Sequence, residues 1–282
     1  MARKNIFEQL SSQWNLATEV ERLDMLFRRS NYVTSKYADY SLDKFVNFYC
    51  FSGWKSRGRS IDVADFLNAL GYDTIIVNAK INYGDFLSLI ELVFNFWKLA
   101  ERRLERDNTF QHCDDFNHLF NVLLSCLSHY NHTFIYDEKK EQILVIEDNP
   151  AAITVAEIID PDSAISVLRY NHHILRGDVE EKRKILNLMG QALEPRRKDL
   201  KNINSKSEDN IFYFLNKLHI RHNNTDEKDK KYYEEHVASM SENELEQWYD
   251  ELYQMLLFAF LELDQVERNE RFKTLKGLIE TP

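Results

Sequence analysis

"FLNKLHIRHNNTDEKDKKYYEEH", residues 214–236, carries an apolar helical pattern that stops at Ile220 on four polar side chains, Arg221, His222, Asn223 and Asn224. The preceding segment, "EDNIFYFLNKLHI", repeats its apolar residues with the period of a helix that buries one face. Beyond the turn, Ser241 and Glu244 have the spacing of a capping box. Trp248, Leu252, Met255, Leu256, Ala259 and Leu263 then fall on one side of a long final helix. A helix, a polar turn and a long apolar-faced helix make the C-terminal half a helical bundle.

The same logic extends upstream. Pro161 stands where a helix begins, Arg176-Gly177-Asp178 is a break, and "VEEKRKILNLMGQAL" is a charged helix that Pro195 must end or kink. In the N-terminal half, Ile6, Leu10, Trp14, Leu23 and Leu26 are spaced for a helix over about 5–29, and a second helix starts near Ser41. Ser60 and Gly71 bracket a short helix as cap and terminator. "LSLIELVFNFWKLAERRLER" and "DDFNHLFNVLLSCLSHY" are two further helices. Only "TFIYDEKKEQILVIED" has a β pattern, with runs at 134–136 and 143–146 around a charged turn. Asn149-Pro150 closes it. The expected architecture is mainly α, a helical bundle with one small β-hairpin. It divides into an N-terminal region, 1–149, and a C-terminal bundle, 150–282.

Composition narrows the function classes. The 282 residues are 44% hydrophobic and 13% aromatic, enough for a real core, and contain only 7 Gly and 4 Pro. Gly-rich phosphate loops and turn-dense sandwiches do not fit those counts. No Ser-His-Asp arrangement, Walker loop, GxGxxG or HExxH occurs. The net charge of −10 opposes non-specific coating of double-stranded DNA, although the first sixty residues are locally basic. Cys50, Cys113 and Cys126 form no CxxC pair, so neither a zinc ribbon nor a redox motif is indicated. There is no signal-peptide pattern and no membrane-length apolar run, so a cytoplasmic protein without a membrane partner is expected.

The turn at Arg221 has two readings. Arg221 can grip a phosphate through two parallel hydrogen bonds, His222 can exchange a proton near neutral pH, and Asn216 and Asn223 can orient them. Alternatively, it is a helix terminus: Arg and His satisfy the last carbonyls, and Asn223 or Asn224 takes the left-handed conformation. A helix running into an Arg-polar-Asn turn, then a charged helix and a long apolar helix, resembles the HEPN superfamily. The wider layout resembles bacterial abortive-infection proteins that carry such a domain. The resemblance implies a metal-independent endoribonuclease of phage defence, without cofactor, acting on RNA as a homodimer. Arg221 and His222 would be catalytic, with Asn216 and Asn223 in support. The positions of the family's motif His hold Asp226, Glu227 and Lys228 instead. The competing expectation is a non-catalytic, HEPN-like binding or dimerisation protein.

Four weaker groups complete the candidates. Arg106, Asp107 and His112 match the letter of that Arg–polar–His motif. Trp54, Lys55, Arg57 and Arg59 would stack a base and hold phosphates of single-stranded RNA, or form a solvated loop with Trp54 in the core. His112, Cys113, Asp114, Asp115 and His118 are close in sequence but match no metal-ligand spacing, so no metal is expected. His172 and His173, adjacent within a helical pattern, face different ways and are assigned to packing and surface.

Overall fold

A computed structural model describes residues 15–28, 31–72 and 81–280 and places them in two compact units, Met1–Glu147 and Asp148–Pro282. The boundary falls just before Asn149-Pro150. The chain is mainly α, as its periodicity implies. Ile6, Leu10 and Trp14 lie outside the described residues.

The first unit is built around one long helix. Its elements are α1 (Leu16–Arg28), β1 (Asn31–Ser35), β2 (Asp39–Ser41), α2 (Leu42–Tyr49), α3 (Val63–Ala69) and α4 (Tyr83–Arg106). They are followed by β3 (Phe110–His112), α5 (Asp114–His129), β4 (His132–Asp137) and β5 (Gln142–Glu147). Asn82 caps α4 by accepting the Asp85 N–H at 2.9 Å, and Phe86, Ile90, Val93, Phe94 and Phe96 enter the core. Asn95, also buried, binds both backbone groups of Ile143: its Nδ2 donates to the carbonyl and its Oδ1 accepts the N–H, each at 2.8 Å. Glu91 accepts the Val145 N–H at 2.6 Å. Two polar residues inside an apolar helix thus satisfy the open edge of β5, whose backbone groups would otherwise be costly to bury.

The hairpin runs in register from His132 opposite Glu147 to Asp137 opposite Gln142, longer than its apolar cores at 134–136 and 143–146 suggest. A second sheet, order β2-β1-β3 and antiparallel, was not legible in the pattern. Its strands are short, and β3 pairs with a strand that precedes β2, α2, α3 and α4 in the chain, Val33 with His112 and Ser35 with Phe110. One cap also moves: Asp62, not Ser60, accepts the Asp65 N–H at 2.8 Å and starts α3, while Ser60 is buried behind it. Gly71 terminates the segment with φ 68°, as its position implies.

The second unit is helical throughout: α6 (Pro150–Ile158), α7 (Pro161–Arg169), α8 (Val179–Leu193), α9 (Arg197–Ile203), α10 (Ser205–Lys217), α11 (Glu235–Ala238) and α12 (Glu242–Glu280). Five of these seven helices, α6, α7, α8, α10 and α12, start at a side-chain cap. Asn149, Asp160, Asp178 and Asn204 each accept a backbone N–H three residues on. Pro150 and Pro161 occupy the first turn, where no donor is needed. Ser241 and Glu244 form the capping box of α12 reciprocally, at 3.3 and 2.9 Å. The helix that Pro195 was expected to end or kink, α8, stops at Leu193, two residues before the proline. It sits in the 3-10 turn Glu194–Arg196 that passes the chain from α8 to α9. The core lies where α8, α10 and α12 meet, around Leu186, Met189, Ile211, Phe212, Leu215 and Leu256.

Candidate functional site

The terminus of α10 is where Arg221, His222, Asn216 and Asn223 are placed, and each has a distinct environment. Leu218 donates to the Phe214 carbonyl and Arg221 N–H to the Leu215 carbonyl, so the last turn of α10 is closed by backbone bonds. The left-handed residue is His219, φ 57°, rather than Asn223 or Asn224. Asn224 is fully buried and ties the turn together. Its Oδ1 accepts the His219 N–H at 3.0 Å, its Nδ2 donates to the Tyr232 carbonyl at 2.6 Å, and its own N–H donates to His219 Nδ1 at 3.1 Å. These three bonds satisfy the buried amide of Asn224 and hold the turn beyond α10 closed.

Arg221 is turned back over its own bundle. Its Nη2 donates to Glu194 Oε2 at 2.6 Å and to the Gly190 carbonyl at 3.3 Å, and its guanidinium lies 5.4 Å from the Phe212 ring centre. Only 19% of the side chain is exposed. The approach depends on Gly190, where an added Cβ would stand 2.8 Å from Leu215 Cδ1 and 3.4 Å from Arg221 Nη2. His222 stacks on Tyr232, ring centres 3.9 Å apart and planes within 11°. Asn216 donates to the Phe212 carbonyl one turn back on α10, at 2.8 Å. Asn223 is exposed and accepts the Thr225 hydroxyl at 3.2 Å. Arg221, Asn216 and Asn223 thus send their hydrogen bonds to three different places, and His222 is engaged by its ring stack on Tyr232.

The histidine that matters to this turn is one sequence reasoning passed over. His219 accepts a backbone N–H at Nδ1, so its ring is neutral with the proton on Nε2. Burial, and then the Arg183 guanidinium, hold its pKa below the ordinary histidine value. Arg183 Nε in turn donates to the Ile220 carbonyl at 3.4 Å. The only available signal was residue type near the helix end: His219 directly follows Leu218, the C-cap of α10, and non-Gly left-handed residues are enriched in Asn, Asp and His.

A second polar centre was also missed. Lys182, buried on α8, donates to Glu246 and to Asp250 of α12, both at 2.7 Å, and lies 5.1 Å from the Tyr170 ring centre. Tyr170 donates to Asp250 at 2.8 Å and stacks on Tyr253 at 3.9 Å. Tyr253 donates to the Val167 carbonyl and accepts from Asn171. Burial opposes the Glu246 charge, but the Gly177 N–H and the Lys182 ammonium outweigh it and lower its pKa. Burial and Asp250 push the Tyr170 hydroxyl far above its usual range. Every partner in this network is satisfied from within, which suits a fastening between α7, α8 and α12.

The remaining candidates separate. Trp54 is 5% exposed and packs edge-on against Phe66 and Phe96, so its ring is core and not a platform for a base. Lys55 pairs with Glu141 at 3.5 Å, and Arg57 Nη1 donates to the Ser60 carbonyl at 2.5 Å. Arg59 is exposed. Arg106 is exposed at the end of α4, and Asp107 turns away to Thr109 and Arg103, whose bonds hold its carboxyl low. His112 is exposed on β3, while Cys113 donates to the Asn31 carbonyl at 3.2 Å. Among the described side chains, His112, Cys113, Asp115 and His118 do not converge on a point where one ion could sit. His172 is buried and His173 half-buried at a 3-10 turn beyond α7, not within a helix, their rings edge-on at 4.7 Å. In comparisons with known proteins, no family model, no curated protein and no solved structure matches the chain.

Proposed function

We propose that this chain is a HEPN-like helical interaction protein of the abortive-infection type that works by binding rather than by cutting RNA. One observation carries the choice: the Arg221 guanidinium is spent on Glu194, the Gly190 carbonyl and the Phe212 face. An arginine that stabilises a phosphate must present its fork to the ligand. Releasing this one means breaking a charge-assisted bond and opening the packing between α8 and α10. Of the residues that would share the chemistry, Asn216 gives its amide to the Phe212 carbonyl and His222 is stacked on Tyr232, and Asp226, Glu227 and Lys228 stand where the motif's His would be.

The test is direct. Purified protein is incubated with total cellular RNA in EDTA beside an Arg221→Ala variant. A binding protein leaves the RNA intact in both. Cleavage by the wild type that disappears in the variant, with 2′,3′-cyclic phosphate ends, would overturn the proposal in favour of a metal-independent endoribonuclease.

A further inference from the structure

The final helix outlasts the bundle it belongs to. Asp264 is the last buried residue of α12, and residues 265–280 are all exposed. At about 1.5 Å per residue this is roughly 24 Å of helix beyond the core. A free helix of that length is marginal in water unless one face is packed. Its exposed residues include Phe272, Leu275 and Ile279, at 63, 49 and 74% exposure.

Those three continue a row that begins on the outer face of the bundle. Phe258, 59% exposed, and half-buried Leu261 precede them, and the whole series keeps a heptad: 258, 261, 265, 268, 272, 275, 279. Five of the seven seam positions are apolar; the middle two are Gln265 and Arg268. Such a seam is the surface of a two-helix coiled coil in which a central polar layer fixes the register.

Charge chooses the partner and its direction. A parallel second copy would set Arg268 against Arg268 and Arg271 beside Lys276, two repulsive layers. Reversing the second copy places Gln265 opposite Arg268, Phe258 opposite Leu275 and Leu261 opposite Phe272. It also brings Asp264, which already binds Arg268 and lies 3.8 Å from Arg271 on its own helix, beside the other copy's Arg271. Polar meets polar at the centre, apolar meets apolar in the layers on either side of it, Ile279 falls level with Gln254 at the ends, and opposite charges flank the seam.

We infer that the outer face of α12 is the docking surface for a second copy of this chain, paired antiparallel about the Gln265–Arg268 layer. The inference rests on the binding role proposed above and names the partner. It is tested on the full chain by light scattering and by distance measurement between spin labels at Lys276→Cys, in a Cys50→Ser, Cys113→Ser background that leaves only buried Cys126. The expected result is a two-chain mass with labels about 30 Å apart, since residue 276 would stand level with residue 257 of the other copy. Phe272→Asp, at a position exposed beyond the bundle core, should return the mass to one chain, with any loss of far-ultraviolet helix signal no larger than fraying of residues 265–280 and with the bundle itself still folded. A wild type that stays single-chain at all concentrations overturns the inference; the RNA assay then still decides the binding role independently. A dimer with labels about 10 Å apart, the spacing of parallel helices in register, overturns the antiparallel pairing.

Discussion

Replacing Arg221 with Ala separates a structural arginine from a catalytic one by stability as well as by activity. The side chain makes one charge-assisted hydrogen bond to Glu194, one bond to a carbonyl that already receives the Glu194 N–H, and one cation–ring contact. Because Glu194 is about half exposed, the ion pair is screened and is given the value of a favourable surface pair, about 1 kcal/mol. The second bond to the Gly190 carbonyl is shared and long, so about 0.5 kcal/mol is reasonable. The contact with Phe212, which is buried, adds about 0.5–1 kcal/mol. The loss should therefore be about 2 kcal/mol, or about 6–10 °C in the melting of a unit of this size. Thermal melting followed by circular dichroism reads this directly. Glu194→Ala should recover less than half of the effect in a double-mutant cycle, since only the ion pair is shared between the two sites. A variant that melts within about 1 °C of wild type would refute the reasoning, because so small a change is under the effect of a single surface pair.

Three further outcomes follow from the same geometry. Gly190→Ala gains about 1 kcal/mol of helix propensity but drives a methyl to 2.8 Å from Leu215, a fully buried side chain with little room to shift; overpacking of about 1–3 kcal/mol wins, and chemical denaturation should show net loss. Lys182→Met leaves Glu246 and Asp250 without their cation; with Asp250 half exposed, the expected cost is about 2–3 kcal/mol at neutral pH, read as a lower urea midpoint with unchanged slope. His219 supplies a pH dependence. Its folded pKa is lowered, so the stability it contributes is fully present above the unfolded histidine value, about 6.5, and is lost as pH falls below that value toward the folded one. Protonation also turns Nδ1 from acceptor to donor and breaks its bond from the Asn224 N–H. Wild type should therefore lose melting temperature between neutral and mildly acidic pH more steeply than His219→Asn, which tolerates the same left-handed backbone but does not titrate; parallel curves for the two proteins would refute this role.

The helices were readable because their causes are local. Period, a capping side chain and a proline in the first turn all lie within a few residues, and α7, α8 and α12 begin where those signals stand. The second sheet was not readable because β3 is only Phe110–His112 and finds its partner β1 through a contact about eighty residues away. Alternation over three residues carries no period. Asn95 and Glu91 show the same limit from another side. In the sequence they are polar interruptions in an apolar run, and their purpose appears only once β5 presents the Ile143 and Val145 backbone groups to them.

The turn at Arg221 explains why a site can be legible in its residues and not in its role. Sequence identifies groups able to bind phosphate or move a proton, and Arg221 and His222 are such groups. Whether they do so depends on what else competes for them, and the competitors are remote: Gly190 lies on α8, Glu194 in the turn that follows it, and Tyr232 across the turn. Gly190 is the informative residue. Without it α10 could not approach α8 closely enough for Leu215 and Arg221 to lie where they do, and a small residue in the middle of an amphipathic helix costs stability unless something occupies the space it leaves. A buried-face glycine one helix away from a conspicuous arginine is thus a sequence-level sign that the arginine is packed. The argument runs the other way on α12, where five large apolar residues keep a heptad, three of them on a stretch with no core beneath it. There the missing partner is not another element of the bundle, which is why the binding surface is placed on α12 and not at the polar turn.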